Sequence, residues 1–371
     1  MGTIDSVTTI VALFLLRKDI MMKYRKYNHR KTIMGLLSIL ILFLFLFPRM
    51  GYANEGTLTF HVTPEFPESQ IEGTNSYFNL TLGPGETEEL TLTLQNASNE
   101  PIKVQVTPHT AYTNVHGVVE YGKDAQTADS TLTHSLNELI EPSEEIELSG
   151  NETKSIVIPI HMPKEAFEGF LVGGLRIAEV KEEQDETPSD EEGVAIKNEF
   201  AYVVGVVVSN SRDSVQPDLE LLDVFADQLN YRNVISATIQ NFTPTFVNRL
   251  AVEATVQRVG ENDVLYEASE EMMQMAPNSN FDFPISLEGD RFQSGEYVLN
   301  LRATSGEEEW IWEQTFTIEA DEARSLNRAD VTIDSSMNWW MIGAIGLVGI
   351  LLGVIVYLVI QKKENPSKVK K

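Results

Sequence analysis

Residues 77–106 read YFNLTLGPGETEELTLTLQNASNEPIKVQV, and their pattern predicts the fold. Apolar side chains occupy every second position in three short runs, at residues 78–82, 90–94 and 102–106. Such alternation turns one face of a β-strand toward a core. The runs are separated by turn-forming residues, GPG at 83–85 and NASNEP at 96–101. The stretch therefore predicts three half-buried strands joined by short turns.

The same alternation continues through the rest of the chain. Further runs of this kind lie at 58–62, 156–160, 235–239, 250–256, 281–285, 297–303 and 310–318. Between them there is almost no helical periodicity. Short strands at this spacing predict an all-β protein made of two tandem immunoglobulin-like β-sandwiches.

An internal repeat supports the count of two sandwiches. Residues 93–106 (TLQNASNEPIKVQV) resemble residues 238–256 (TIQNFTPTFVNRLAVEATV). Residues 159–176 and 284–302 then match in the order of their Pro, Phe, Gly and Arg. Chance similarity of strand composition is the alternative, but two matching pairs in the same order favour duplication.

The first unit carries an insertion that the second lacks. From Asn96 to Pro159 is 63 residues, whereas from Asn241 to Pro284 is 43. The 20 extra residues fall within 107–142, and loops on a rigid sheet often carry recognition. We therefore expect a binding surface here, and an extra hairpin that closes a sheet edge is the equal alternative. The candidate binding residues are Tyr112, Thr113, Asn114, His116 and Tyr121.

The domain boundaries follow from the repeat. The second unit ends with a strand, so the first needs one too, and FAYVVGVVV at 200–208 is its candidate. The acidic run at 181–192 then becomes a hairpin loop within the first unit rather than a linker. Whether residues 199–209 complete the first unit or begin the second stays open. The expected segments are a first sandwich at 54–210, a second at 211–320 and a stalk at 321–338.

The two ends predict membrane topology. Basic residues at 23–31 precede an apolar run at 33–47, and small residues before position 54 predict a signal peptide cleaved after Ala53. An uncleaved anchor is the alternative, and translation could begin at Met21 or Met22. Residues 339–360 carry no charge, and a helix of that length spans about 33 Å, enough for a bilayer core. The lysine-rich tail at 361–371 predicts a cytoplasmic C-terminus for this single transmembrane helix.

Composition excludes several classes of function. The net charge is -27; residues 1–53 carry +6 and residues 361–371 carry +4, which leaves -37 for the residues between. A surface this acidic repels nucleic acid. The chain has no cysteine, so thiol catalysis and Cys-ligated metals are excluded. No HExxH, GxSxG or phosphate-binding glycine motif is present. We predict no catalytic residues, no metal and no cofactor, although paired acids leave sugar hydrolysis open.

Four Asn-x-Ser/Thr triplets would be glycan acceptors in a eukaryotic secretory pathway. They begin at Asn79, Asn96, Asn151 and Asn241. Because no disulfide-forming cysteine accompanies them, we interpret them as chance matches in a bacterial surface protein.

Several segments together resemble one known family. These are FHVTPEFPESQ (60–70), YFNLTLGPGE (77–86), AYTNVHGVVEY (111–121), FEGFLVGGLRI (167–177), MAPNSNFDFPI (275–285) and GEYVLNLRA (295–303). In order and spacing the chain resembles the WxL-interacting proteins of Gram-positive bacteria. The resemblance implies a peptidoglycan-binding domain followed by a host-binding domain, with WxL-domain surface proteins and a host extracellular ligand as partners. It implies no individual site residue. A membrane-tethered glycan-processing enzyme and a surface sensor are the alternative functions.

Overall fold

A computed structural model describes residues 59–180, 200–333 and 339–364. The predicted signal region at 1–53, the acidic run at 181–192 and residues 365–371 of the tail lie outside the described residues. Most of the described chain is β-strand, and helices are few. The prediction of an all-β fold is therefore confirmed.

The first half of the described chain forms two sheets and a small hairpin. Its strands are β1 (Phe60–Glu65), β2 (Phe78–Thr81), β3 (Thr87–Asn96), β4 (Ile102–Thr110), β5 (Tyr112–Thr113), β6 (Val119–Glu120), β7 (Ile146–Leu148), β8 (Thr153–His161), β9 (Leu171–Glu179) and β10 (Ala201–Ser209). One helical turn, α1 (Leu136–Leu139), lies between β6 and β7. The strand orders are β1-β3-β8 in one sheet and β2-β10-β9-β4-β7 in the other, with β5 paired to β6.

Both sheets of this first sandwich contribute to one apolar core. Phe78 and Val104 come from the five-stranded sheet, while Leu92 and Ile160 come from the three-stranded sheet, and all four are fully buried. Each is one of the alternating residues, so the other face of its strand points away from this core. Burying one such side chain contributes about 1.5 to 3 kcal/mol.

Strand β10 lies inside the first sandwich. It pairs antiparallel with β9, where Val204 lies opposite Leu175, and parallel with β2, where Val206 lies opposite Phe78. The strand expected at residues 200–208 is thus part of the five-stranded sheet. Its alternate residues from Val204 to Val208 enter the first core.

The second half of the described chain forms two further sheets. Its strands are β11 (Leu219–Leu229), β12 (Arg232–Asn241), β13 (Val247–Arg258), β14 (Val264–Met275), β15 (Ser279–Ser286), β16 (Gly295–Ser305) and β17 (Glu308–Ile318). The orders are β11-β12-β15 and β14-β13-β16-β17. Ile239 and Phe283 from the first of these sheets share a buried core with Val256 and Leu299 from the second.

The expected stalk at 321–338 differs in the structure, because residues 320–329 form helix α2 (Ala320–Ala329). A capping box between Glu319 and Glu322 starts this helix. Ala323 is buried and Leu326 packs against the core of the second sandwich. These two residues are three apart on one helical face, and that short apolar stripe docks the helix instead of leaving it extended.

A last helix, α3, runs over Trp339–Glu364, and its side chains are described for residues 343–357. The span predicted at 339–360 falls on this helix. Within the part of the chain that the structure describes, no helix combines the length and hydropathy needed to cross a membrane.

Candidate functional site

The insertion of the first sandwich lies against the second sandwich. In the β5-β6 hairpin, Thr113 is buried and its Oγ1 lies 2.7 Å from the hydroxyl of Ser279. The same oxygen accepts a hydrogen bond from the amide of Ala276 at 3.0 Å. The Gly117 carbonyl accepts one from the Gln274 amide at 2.8 Å. The hairpin is therefore docked onto the second sandwich, and much of it is not a free loop.

A buried carboxylate adds to this contact region between the two sandwiches, which we call the joint. Asp129, in the same insertion, is 8% exposed and accepts hydrogen bonds from Gln240 at 2.9 Å to each oxygen and from Asn280 at 2.5 Å. Thr131 donates its amide and hydroxyl at 2.8 and 2.6 Å. Burial alone would raise the pKa of Asp129, but these donors outweigh burial and hold that pKa below its usual value. Asp129 therefore joins two strands of the second sandwich as an anion.

Close backbone contact adds to the joint. The amide of Phe170 donates to the carbonyl of Pro244 at 2.8 Å. Gly169 has a positive φ of 69°, and a Cβ there would lie 2.0 Å from the same carbonyl. Only glycine fits at this approach.

A groove of about 660 Å³ opens beside the joint and is lined by both sandwiches. Its floor is the outer face of β2 and β10. Because Val204, Val206 and Val208 enter the core, the residues between them face the groove. The floor residues are Asn79, Val203, Gly205 and Val207. Gly205 has no side chain, which leaves depth at the centre of this floor.

Aromatic side chains form the walls of the groove. Tyr77 and Tyr121 come from the first sandwich, and Phe170 faces Phe246 with ring centroids 6.3 Å apart. Burial, with a smaller contribution from Tyr77, raises the pKa of the Tyr121 hydroxyl, so Tyr121 is neutral at physiological pH. The walls can therefore pack on the flat apolar face of a ring or an acyl chain.

Polar side chains beside these walls are held in place by hydrogen bonds. The Nε of Arg212 donates to Thr81 Oγ1 at 2.7 Å, and its Cζ lies 5.7 Å from the Phe170 ring centroid. Burial lowers the pKa of Arg212, and Tyr77 partly offsets this. From the second sandwich, Gln274 Nε2 donates to Asn248 Oδ1 at 2.5 Å. Among the described residues that line the groove, Arg212 is the only charged one.

The structure separates the five candidate binding residues. Tyr121 lines the groove, whereas Tyr112 lines a smaller cavity of about 200 Å³. Thr113 is buried in the joint. Asn114 closes the hairpin turn, where its Oδ1 accepts from the amides of His116 and Val118. His116 itself is exposed. No three metal-ligating side chains converge within the described residues.

Sequence reasoning missed most of the groove, because its residues come from distant segments. Tyr77 and Phe246 each directly precede a strand, Arg212 follows the end of β10, and no common spacing links the three residues. The signal that could have found some of them is the alternation itself. Residues between buried positions face outward, and an aromatic or glycine among them marks an unusual outer face.

A short polar motif recurs where segments meet. In each case an Asn or Asp side chain accepts from the amide and hydroxyl of the Ser or Thr two residues later, forming an Asx-type turn. The four examples are Asn96 with Ser98, Asp129 with Thr131, Asn241 with Thr243 and Asp330 with Thr332. Asn96 and Asn241 are almost fully buried.

Comparison with known protein families gives two adjacent matches. Residues 60–179 match the WxL Interacting Protein, peptidoglycan binding domain, and residues 191–328 match the WxL Interacting Protein, host binding domain. The order is the one that the sequence resemblance implied. Strand β10 lies in the second matched segment, although it pairs with strands of the first sandwich. No curated protein matches the chain.

The matches among solved structures are distant. A chain from a chaperone–tip adhesin complex of CFA/I fimbriae biogenesis is 12% identical, with 70% of this chain and 98% of that chain covered and a TM-score of 0.27. The E. coli chaperone DraB is 11% identical, with coverage of 70% and 95% and a TM-score of 0.26. The Pseudomonas aeruginosa CupB2 chaperone is 14% identical, with coverage of 64% and 97% and a TM-score of 0.25. Likeness at this level says nothing about what this chain binds.

Proposed function

Because this chain belongs to the family of WxL-interacting proteins, we propose that it is a membrane-anchored adaptor of the cell surface. The first sandwich holds peptidoglycan, and the second holds a WxL-domain surface protein or a host ligand. Both matched domains are described as binding domains. The adaptor therefore acts by holding its partners in place.

The groove is the observation that carries this proposal. Its floor is a strand face held by regular pairing, so the site is rigid before any ligand arrives. Aromatic walls stack on sugar rings, while amide and guanidinium groups bond to ring substituents and acyl groups. A wall polymer offers both kinds of surface. We therefore propose that the wall polymer binds on the side of the first sandwich that faces the joint.

We propose that the partner protein binds an edge strand of the second sandwich, β14. This strand pairs with β13 on one side, and on its other side the β5-β6 hairpin already bonds the amide of Gln274 near its C-terminal end. It exposes Val264, Leu265 and Met272, with Glu267 and Glu270 among its outward residues. An open edge can take up a strand from a partner through backbone hydrogen bonds. Acidic side chains along this edge oppose self-association and favour a basic partner segment.

The proposed topology rests on the sequence. Signal cleavage after Ala53 would export the chain, and the uncharged segment 339–360 would cross the membrane with the lysine-rich tail inside. Two immunoglobulin-like sandwiches would then stand outside the membrane, close to the inner face of the wall. Docking of α2 onto the second sandwich would leave only residues 330–338 between that sandwich and the proposed membrane segment.

Co-sedimentation with purified cell-wall sacculi tests the wall-binding half. Purified full-length protein should pellet with sacculi, and a Tyr77→Ala, Tyr121→Ala double variant should bind several-fold more weakly, since an aromatic contact contributes about 0.5 to 1.5 kcal/mol. Tyr231→Ala is the matched control, because Tyr231 is 70% exposed at the opposite end of β12. Wild-type protein that stays in the supernatant would show that wall binding is wrongly assigned.

A capture experiment tests the other half. Wild-type protein and a Glu267→Lys, Glu270→Lys variant are compared for retention of WxL-domain surface proteins. The charge reversal should abolish retention while binding to sacculi stays normal. Equal retention by both proteins would remove β14 from the proposal.

A further inference from the structure

We propose that the groove recognises a free carboxylate on an N-acylated ligand. Such a ligand is found in a wall peptide that ends in a free acid and in an acidic amino sugar. This inference rests on the proposed wall binding and names the chemical group that is bound. It follows from the donors that the groove leaves unused, from the charge of the surrounding surface and from the shape of the walls.

The guanidinium of Arg212 is the first unused donor. Its Nε bonds to Thr81, whereas its two terminal nitrogens have neither a hydrogen bond nor an ion pair within the described residues. A guanidinium fork with free terminal nitrogens matches the two oxygens of a carboxylate. Arg212 lies exposed at the rim of the groove, so a ligand can reach it from solvent.

Two amides add to these donors. The Oδ1 of Asn79 is buried without a hydrogen-bond partner and out of reach of a ligand, and the Oδ1 of Asn248 already accepts from Gln274. The Nδ2 groups of both residues have no partner in the described chain, and both residues line the groove. Asn79, Asn248 and Arg212 thus present donors to one space, which favours a ligand rich in acceptors.

The acidic surface limits the charge of that ligand. Residues 54–360 carry -37, which repels polyanions at long range, while one arginine in the groove can pair with one acid. A single carboxylate satisfies Arg212 without bringing further negative charge to the surface. Phosphate-rich polymers are disfavoured by the same repulsion.

The walls define the rest of the ligand. Tyr77, Phe170 and Phe246 surround a space of about 660 Å³, within the range of pockets that bury a small ligand. An N-acyl group or a sugar ring can lie against these faces while its carboxylate reaches Arg212. A wall supplies this chemistry from two sources, the acid end of its peptide and the acidic sugar of its glycan.

Binding of defined probes to the purified full-length protein tests the inference. The probes are an N-acetylated alanine tripeptide acid, the same tripeptide as its C-terminal amide, N-acetylmuramic acid and a neutral N-acetylglucosamine tetramer. At least one acid should bind about 10- to 100-fold more tightly than the amide and the neutral tetramer, since hydrogen bonds to a charged group contribute about 1.5 to 3 kcal/mol. Which acid binds identifies the source. Equal affinity for acid and neutral probes, or no binding of either acid, would overturn the proposal.

Charge variants connect the effect to Arg212. Arg212→Gln should abolish the preference for the acid, and Arg212→Lys should keep part of it, because the charge remains while the fork is lost. Arg291→Gln removes an equal charge at an exposed position of the second sandwich and should change nothing. A preference that survives Arg212→Gln in a variant with normal melting would refute the assignment.

The two proposals fail differently. If wild-type protein pellets with sacculi yet does not prefer the acids, the adaptor stands and the carboxylate site is wrong. If it binds the acids but not sacculi, the site stands and wall binding is wrong.

Discussion

The carboxylate of Asp129 is the group whose removal tests the joint between the sandwiches most directly. Asp129→Ala deletes the acceptor used by Gln240 and Asn280, two side chains from adjacent strands of the second sandwich. Gln240 is only 5% exposed, so water cannot easily replace the lost partner. Asp129→Asn keeps the size and one oxygen, and therefore keeps the turn with Thr131.

The expected loss of stability follows from these contacts. A buried donor left without a partner costs about 1 to 3 kcal/mol, and two side chains lose theirs, so Asp129→Ala should lower the free energy of unfolding by about 3 kcal/mol. For a folded unit of about 150 to 250 residues, a loss of this size corresponds to a Tm lower by about 6 to 12 °C. Asp129→Asn should lie between the wild-type protein and Asp129→Ala.

The effect should depend on pH in one direction. The pKa of Asp129 in the folded protein is below its ordinary value of 3.8. A depressed folded pKa stabilises the protein at pH values above the unfolded pKa, and the stabilisation is lost as the pH falls from 3.8 toward the folded value. The stability gap between wild type and Asp129→Ala should therefore be constant from pH 7 to about pH 5 and shrink below pH 3.8.

Thermal and urea unfolding of the full-length protein measure this gap. Asp263→Ala is the control, because Asp263 is exposed and has no hydrogen bond within the described chain. It should change stability by less than about 0.5 kcal/mol. Asp129→Ala protein as stable as this control, or a stability gap that persists unchanged at pH 3, would contradict the role of a buried Asp129 carboxylate in the joint.

Three further predictions follow from single contacts. Asn241→Ala removes the four side-chain hydrogen bonds of a fully buried amide. It should lower the free energy of unfolding in urea by about 2 to 4 kcal/mol. Exposed Asn262→Ala should leave that free energy unchanged, and equal stability of the two variants would contradict the role of the buried amide. Gly205→Val places a side chain in the floor of the groove, where a Cβ would already lie 3.3 Å from Tyr77 Cβ; binding to sacculi should weaken while the fold persists, and unchanged binding would place the site elsewhere. Asp330→Ala deletes the acceptor of the Asn233 amide and should accelerate amide exchange across α2. Unchanged exchange would mean that the packing of Leu326 and the hydrogen bonds of Asn327 hold the helix without Asp330.

The fold was largely predictable because its cause is local. In a strand, burial alternates with the side-chain direction, so Phe78, Leu80 and Leu82 could be read as core before any pairing was known. The placement of β10 needed the repeat, since residues 201–209 are apolar on both faces and could fit either sandwich. Helix α2 was missed because Ala323 and Leu326 alone carry its apolar face in a charged segment.

The groove was less predictable because its cause is tertiary. Its floor is the outer face of one sheet, and outward positions are ordinarily solvated. Asn79 and Gly205 become lining residues only because Phe246 and Gln274 of the second sandwich close over that face. No spacing within the first unit could indicate this. Tyr121 was predicted because it lies in the insertion, and insertions on a sheet often form binding surfaces. Most of that insertion instead contacts the second sandwich at the joint.

The Asn-x-Ser/Thr triplets show how one pattern can have a local cause and a distant consequence. Asn96 and Asn241 end β3 and β12, the strands that the internal repeat aligned. In both, Oδ1 closes the turn, and Nδ2 donates to the backbone carbonyl four residues later and to a carbonyl of another segment. A buried amide with these bonds is not available for a glycan in the folded protein. The triplet at these two sites is therefore a turn, which explains why both copies of the repeat keep it.

Where aspartate takes the same place in the turn, as in Asp129, the turn instead directs a charged side chain toward a neighbouring sheet. The same triplet at Asn79 lies within β2, where its Oδ1 accepts no hydrogen bond. The Asn-x-Ser/Thr spacing therefore forms this turn only where a strand ends, and the packing around it decides which partner it holds.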